Sequence, residues 1–186
     1  EYPALGAALP VTHAAPYLAE LLRQGRLAPG AAAGDITSAE RPLRVTFHDP
    51  CYLARGMGDT ASARSLLATL SGVDLVELPR HGRDALCCGA GGGRMWLERP
   101  DEPRLGEPRL DEIAAAGVDL CVTACPHCRT MIADGVADGA AHADDSAFPA
   151  VCDLVELLAG ARPGGAMAAS GAIQHVPALV AARDRE

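Results

Sequence analysis

The sequence predicts an α/β fold, a Rossmann-like parallel sheet flanked by helices, with cysteines at the carboxyl edge of the strands. Three observations point there. Short β-prone runs alternate with helix-like segments, which is the pattern of βαβ units. Glycines stand where those helices should end, at Gly25, Gly72 and Gly117. Reactive residues come just after the β-prone runs, at the edge where an open parallel sheet collects its ligands.

Taken in order, residues 9–12 read as a short strand and 16–25 as a helix. Pro16 lies near the start of that helix, and Leu18, Leu21 and Leu22 share one face. Residues 28–42 are rich in Ala, Gly, Pro and Ser/Thr and read as a loop. Residues 43–47 are a compact β-prone run that stops at His48-Asp49-Pro50-Cys51. Asp59 or Thr60 caps the next helix, which carries Ala63, Leu66, Leu67 and Leu70 on one side. A strand is expected over 73–78, followed by a loop containing Cys87-Cys88-Gly89. Helix opens at 95–98, is interrupted by Pro100, Pro103 and Pro108, and resumes over 109–116. Residues 118–123 form a strand with Cys125-Pro126-His127-Cys128 directly behind it, then a helix running towards Gly135. A last strand near Ala150 leads into a helix at 153–158.

The organisation expected is one cysteine-rich unit over 1–160. Within it, 1–42 is the end of a preceding repeat or a linker, and 161–186 is a flexible tail. The 186 residues and 19.1 kDa suit a single α/β domain. Hydrophobic residues make up 49% but aromatics only 3%, so the core is built from small side chains, and a bound metal would add stability they cannot. A net charge of -8 with no basic run argues against nucleic acid as a partner. No apolar run reaches the roughly 18 residues of a membrane span, and no signal peptide is recognisable. The chain starts at Glu1 and is expected to be a fragment, so any membrane contact would come through segments absent here. Seven cysteines, an odd number with two adjacent, argue against a disulfide framework and for reduced, ligand-bearing thiols in a cytoplasmic setting.

Five of those cysteines fall into three groups: Cys51, the pair Cys87-Cys88, and Cys125 with Cys128. Cys125 suits the N-cap of a helix and Pro126 its first position. The helix dipole and free N–H groups there favour thiolates. Gly89, Gly91, Gly92 and Gly93 let the backbone fold closely around a bound group and turn N–H donors towards sulfur. Zinc is the competitor, but a structural zinc needs four ligands, and adjacent cysteines suit a single ion poorly. Several irons spread over a few ångströms use five thiols more readily, and iron–sulfur sites are habitually all-cysteine. A thioredoxin-like dithiol at Cys125 and Cys128 leaves three cysteines without a role. A dinucleotide fingerprint fails because Arg94 stands at the third glycine position.

The stretches HDPCYLARG (48–56), CCGAGGGRMW (87–96) and TACPHC (123–128) resemble the CCG cysteine-rich domain of heterodisulfide reductase and related iron–sulfur oxidoreductases, in their C-terminal part. The resemblance covers residues 1–160. It implies an oxidoreductase subunit with a 4Fe–4S cluster, of the non-cubane type in the best understood relatives, held by Cys51, Cys87, Cys88, Cys125 and Cys128. It implies electron transfer between a flavin or quinone partner and a thiol/disulfide or organic substrate. Its redox partners would be ferredoxin-like or flavoprotein modules on the cytoplasmic side of a membrane. Only one CCG repeat and no ferredoxin-type cysteine run are present, so the chain reads as part of a catalytic assembly. The alternative is a non-catalytic, zinc-stabilised interaction domain.

Other residues have two readings each. His48 either relays a proton or tunes the cluster by a hydrogen bond, or with Asp49 merely shapes the turn before Pro50. Cys121 and Cys152 are read as core residues. His13, His81 and His127 have ordinary loop or surface explanations. Arg94 attracts an anionic substrate or pairs with a surface carboxylate, and Trp96 is expected to shield the cluster.

Overall fold

The computed structural model describes residues 6, 10–27, 41–97, 102, 104–140 and 148–159, with backbone alone at 138–140. Most of the loop expected at 28–42 and all of 161–186 lie outside these residues. Four strands, β1 (Leu43–His48), β2 (Val73–Leu75), β3 (Leu120–Thr123) and β4 (Ala150–Asp153), form an all-parallel sheet in the order β2-β1-β3-β4. Five helices flank it: α1 (Ala14–Arg23), α2 (Ser62–Leu67), α3 (Glu107–Ala115), α4 (Pro126–Ala140) and α5 (Leu154–Leu158). The α/β expectation is met. None of these helices is long and apolar enough to cross a membrane.

The two-residue period of the strands sorts their side chains into two cores. Val45, Phe47, Leu120, Val122 and Cys152 enter one, where Ala15, Leu66, Leu67, Leu154 and Leu157 bring in α1, α2 and α5. Cys121 enters the other, with Ile113 from α3, Ile132 from α4, and Leu78, Cys88 and Cys128. Because β1 and β3 pair His48 with Thr123, and β3 and β4 pair Thr123 with Asp153, three strands end level.

Several boundaries differ from the sequence-based expectation. Residues 10–12 form no strand; they are exposed chain leading to His13, whose Nδ1 accepts from the Ala15 N–H at 3.2 Å and starts α1 two residues earlier than expected. Pro16 then sits in the first turn, where a missing N–H costs nothing. β2 ends at Leu75: after the Val76 N–H meets the Val45 carbonyl at 2.7 Å, the chain leaves the sheet and Leu78 turns into the second core. Pro108 opens α3 rather than breaking it, since it occupies the first turn. α4 continues past Gly135 because that glycine is an interior residue there. Leu110 of α3 fills the space a Cβ would need.

The β1 exit is held by charge. Asp49, with a side chain only 1% exposed, takes two hydrogen bonds from Arg64 (2.7 and 2.9 Å) and one from the Gly82 N–H (2.7 Å). Burial opposes ionisation of that carboxyl, but the guanidinium and the N–H outweigh it and hold it below the ordinary carboxylate range. Arg64 also meets Glu77 and lies 5.7 Å from the Phe47 ring centre. Removing the Asp49 carboxylate strips Arg64 of two hydrogen bonds and leaves the buried Gly82 N–H without its acceptor. Asp49→Ala should therefore lower the unfolding free energy by about 3 kcal/mol. Arg41→Ala, which breaks an exposed pair with Asp119, should cost far less because solvent screens that pair. Urea titration of both variants checks the contrast, and equal losses would remove Asp49 as the anchor.

Candidate metal centre

The level ends of β1 and β3 place two loops, and the loop after β2 supplies a third, around one cavity of about 290 Å³. Cys51, Cys87, Cys88, Cys125 and Cys128 all line it, together with His48, Gly91, Gly92, Gly93, Met95 and Trp96. Cys121 and Cys152 do not.

Each thiol is delivered by a different local device. Cys51 follows β1 by three residues and leads a π-helical turn, Tyr52–Gly56, closed by the Met57 N–H on the Tyr52 carbonyl at 2.9 Å. Wide turns of this kind recur at functional sites. Here it leaves Cys51 exposed on the rim. Cys87 accepts the Gly89 N–H at 3.3 Å, and the Ala90 N–H reaches Cys88. Glycine is needed within that loop and again where α3 packs against it. Gly89 has φ 94°, in the left-handed region. A Cβ on Gly106, at the start of α3, would stand 2.6 Å from the Cys88 carbonyl oxygen, so the helix start presses directly on the cysteine pair. Arg55 of the π turn donates to the carbonyls of Arg83 and Ala85 and ties the first loop to the second. Cys125 stands before α4, where the N–H groups of His127 and Cys128 reach its sulfur. The expected cap with Pro126 as first helical residue is present.

The five thiols are not equivalent. Cys88, Cys125 and Cys128 are in mutual hydrogen-bonding contact through Cys128, and His48 joins them at Cys88. His48, Cys88 and Cys128 bring ligand atoms within 4.8 Å of one another. Cys51 and Cys87 face them from other parts of the wall. Hydrogen bonding from Cys128, then from His48 and the Ala90 N–H, outweighs burial and brings the Cys88 thiol down to about 4. Cys128 and the helix-start N–H groups bring Cys125 down to about 5. Cys128 moves the other way, because two anionic sulfurs beside it favour its proton. Burial, the leading cause for both, pushes Cys121 and Cys152 up to about 12. The site therefore concentrates thiolate character, while the two core cysteines stay neutral and inert.

Sequence-predicted neighbours fall on both sides of their two readings. Gly91, Gly92 and Gly93 line the cavity, whereas Gly89 lies behind it and acts through its N–H on Cys87. Trp96 lines the mouth but is 77% exposed, so it does not shield the site as expected: the glycines before it turn the chain outwards, Gly92 and Gly93 both having positive φ. Arg94 pairs with Glu102 at 3.2 Å. His81 bonds the Leu78 carbonyl through Nδ1 at 2.8 Å, and His127 is exposed on the rim. His48 is 1% exposed, and burial, ahead of Arg109, pushes its pKa below the usual value despite the opposing pull of Cys88. Sequence reasoning missed Arg109 and Gly106. Arg109 is fully buried and donates from Nε to His48 Nδ1 at 3.0 Å. The signal available for it was weak, an arginine three residues before Glu112 on a helix.

Comparison with known proteins bears on this site. Residues 45–133, which span all five cysteines, match the CCG cysteine-rich domain family. The chain is 37% identical over 161 residues to a probable iron–sulfur-binding oxidoreductase, FadF, of Bacillus subtilis, covering 86% of this chain and 21% of the relative. It is 36% identical over 165 residues to the EtfAB:quinone oxidoreductase of Syntrophomonas wolfei, covering 85% and 21%. One subunit of the dihydromethanophenazine:CoB–CoM heterodisulfide reductase of Methanosarcina barkeri is 33% identical over 136 residues, covering 70% and 31%. The chain thus spans a fifth to a third of the length of these curated relatives.

A thiol with a lowered pKa stays anionic, and nucleophilic, until the pH falls through that value. In the metal-stripped chain, iodoacetamide should label Cys125 about tenfold faster than Cys121 and Cys152 at mildly acidic pH. The Cys125 rate should drop only as the pH passes below about 5. Peptide mass spectrometry reads both, and a Cys125 rate already falling at neutral pH would refute the stabilisation of its thiolate by Cys128 and the helix-start N–H groups.

Proposed function

Because residues 45–133 belong to the CCG cysteine-rich domain family, we propose that this chain binds a 4Fe–4S cluster, of the non-cubane type, through Cys51, Cys87, Cys88, Cys125 and Cys128. One observation carries the reading: all five spaced cysteines, and neither of the other two, line a single cavity. That cavity has room for far more than one ion, and its thiols surround it on three loops, as a multi-iron core requires. Lowered thiol pKa values at Cys88 and Cys125 suit anionic sulfur ligands.

The cluster, when bound, would supply one-electron redox chemistry. The chain's own residues do the rest. The N–H groups of Gly89, Ala90, His127 and Cys128 lower negative charge on sulfur. The second core closes the inner side of the site to water, and the outer side opens at Cys51 between Tyr52 and Trp96, both largely exposed. An electron or substrate sulfur would enter there. Relatives named for quinone and heterodisulfide reduction support the function of electron transfer between a flavin or quinone partner and a thiol/disulfide or organic substrate. We take the functional unit as residues 1–160, since α1 shares a core with β1 and β3. It would work as one module of a larger oxidoreductase at the cytoplasmic side of a membrane, with ferredoxin-like or flavoprotein neighbours.

A second reading has its own support. The tight group of His48, Cys88 and Cys128 would suit a tetrahedral zinc completed by Cys125, stabilising a non-catalytic interaction domain. Anaerobic purification with iron, sulfide and zinc analysis, followed by EPR after oxidation, decides between the two. Iron and acid-labile sulfide in comparable amounts are expected. Stoichiometric zinc without sulfide would sink the cluster. Cys→Ser changes at each of the five positions should disturb the spectrum, whereas Cys121→Ser and Cys152→Ser should leave it intact.

A further inference from the structure

Behind the cysteines lies a buried cation that the proposed function does not use. Arg109, on α3, is fully buried. Its Nη1 donates to the Arg80 carbonyl at 2.7 Å and to Glu112 at 2.9 Å, and its Nε donates to His48 Nδ1 at 3.0 Å. Nη2 has no hydrogen-bond partner among the described residues. Glu112 is shared with Arg80 at 2.5 Å, so one carboxylate answers two guanidinium groups. The Arg109 guanidinium therefore faces His48 from one side, with the Asp49 carboxylate as the neighbouring negative charge.

The direction of the Arg109–His48 bond settles which ring nitrogen carries the proton. A guanidinium only donates. His48 Nδ1 must therefore offer its lone pair, and a neutral ring then carries its hydrogen on Nε2. Nε2 is the nitrogen left to face Cys88, whose sulfur lies within 4.8 Å of a His48 ring nitrogen. Ligating a metal through Nε2 would require giving up that hydrogen, leaving neither nitrogen protonated. Carrying a second proton would require Nδ1 to release Arg109, setting a cation against a buried cation.

We propose that Arg109 and His48 form a buried relay that holds His48 as an Nε2–H donor to the Cys88 sulfur, rather than as a metal ligand or a proton carrier, and so tunes whatever anionic centre that sulfur binds. The relay rests on the cluster reading only for its electrochemical consequence. His48 and Arg109 are positioning residues here. A donor aimed at sulfur stabilises the more negative, reduced state, so it raises the reduction potential.

The test has two readouts. In the full chain labelled with nitrogen-15 at histidine and purified anaerobically, NMR near neutral pH should show His48 with an unprotonated Nδ1 and a protonated Nε2. Its signals are identified by their loss in His48→Leu. A protonated Nδ1, or a metal-bound Nε2, overturns the proposal, and this readout stands whatever metal the chain holds and needs no folded Arg109 variant. In the iron-loaded chain, His48→Leu should shift the reduction equilibrium about tenfold towards the oxidised form, about 59 mV for a one-electron couple, and His48→Gln, which keeps an N–H donor, should recover part of it. Unchanged potentials in both variants overturn it as well. Failure of the cluster reading appears separately, as absent iron and sulfide.

Discussion

The site depends on the register between β1 and β3. Pairing His48 with Thr123 brings the two strands to the same level, and the Thr123 hydroxyl donates to the His48 carbonyl at 3.1 Å to hold that end closed. Cys51 and Cys125 leave the sheet three and two residues later, so their separation is set by backbone hydrogen bonds. A slip of one residue would turn His48 to the opposite face and carry Cys51 away from α4. The third loop has no such direct strand tether. It is placed by contacts: Gly106 against the Cys88 carbonyl, Arg55 on the Arg83 and Ala85 carbonyls, and Leu78 in the second core.

Within this frame the site separates charge by depth. Cys88 and Cys128 are 8% and 3% exposed, and they meet His48 with Arg109 behind it. Cys51 lies on the open side. Thiolate character at Cys88 is tolerated because Cys128, His48 and the Ala90 N–H favour the charged sulfur, whereas Cys121, buried with no hydrogen-bond donor and only the charge of Arg109 to oppose burial, keeps its proton. Burial alone would make every one of these sulfurs inert. What distinguishes the reactive set is the supply of donors.

Much of this is legible in the sequence, and the rest is not for identifiable reasons. The strands at 43–47 and 118–123 announce themselves by β-branched and apolar runs ending just before cysteines, and the α4 start by Pro126 after Cys125. These are local signals. The sequence overstates β2 because Leu78 looks like another strand residue, although its burial belongs to the opposite core. Trp96 suggests a shield because large aromatics usually bury. The positive φ of Gly92 and Gly93, which turns it outwards, is a backbone choice that the composition permits but does not dictate. Arg109 and Gly106 are not recoverable from local pattern at all. Their roles lie in contacts with His48 and Cys88, 61 residues away in the first case, that only the folded topology creates.

The two faces of the sheet are built from different materials. One rests on Leu, Val, Phe and Ala contributed by α1, α2 and α5 together with the strands. On the other, three of the seven buried residues in the cluster are cysteines, two of which also line the cavity. The sheet is thus a partition between a hydrocarbon half and a half that borrows its cohesion from whatever its sulfurs hold. If the bound group is withdrawn, damage should stay on one side of that wall. α3, α4 and the CCG loop would loosen together, while the strands and the opposite helices remain as a template on which the centre can be rebuilt.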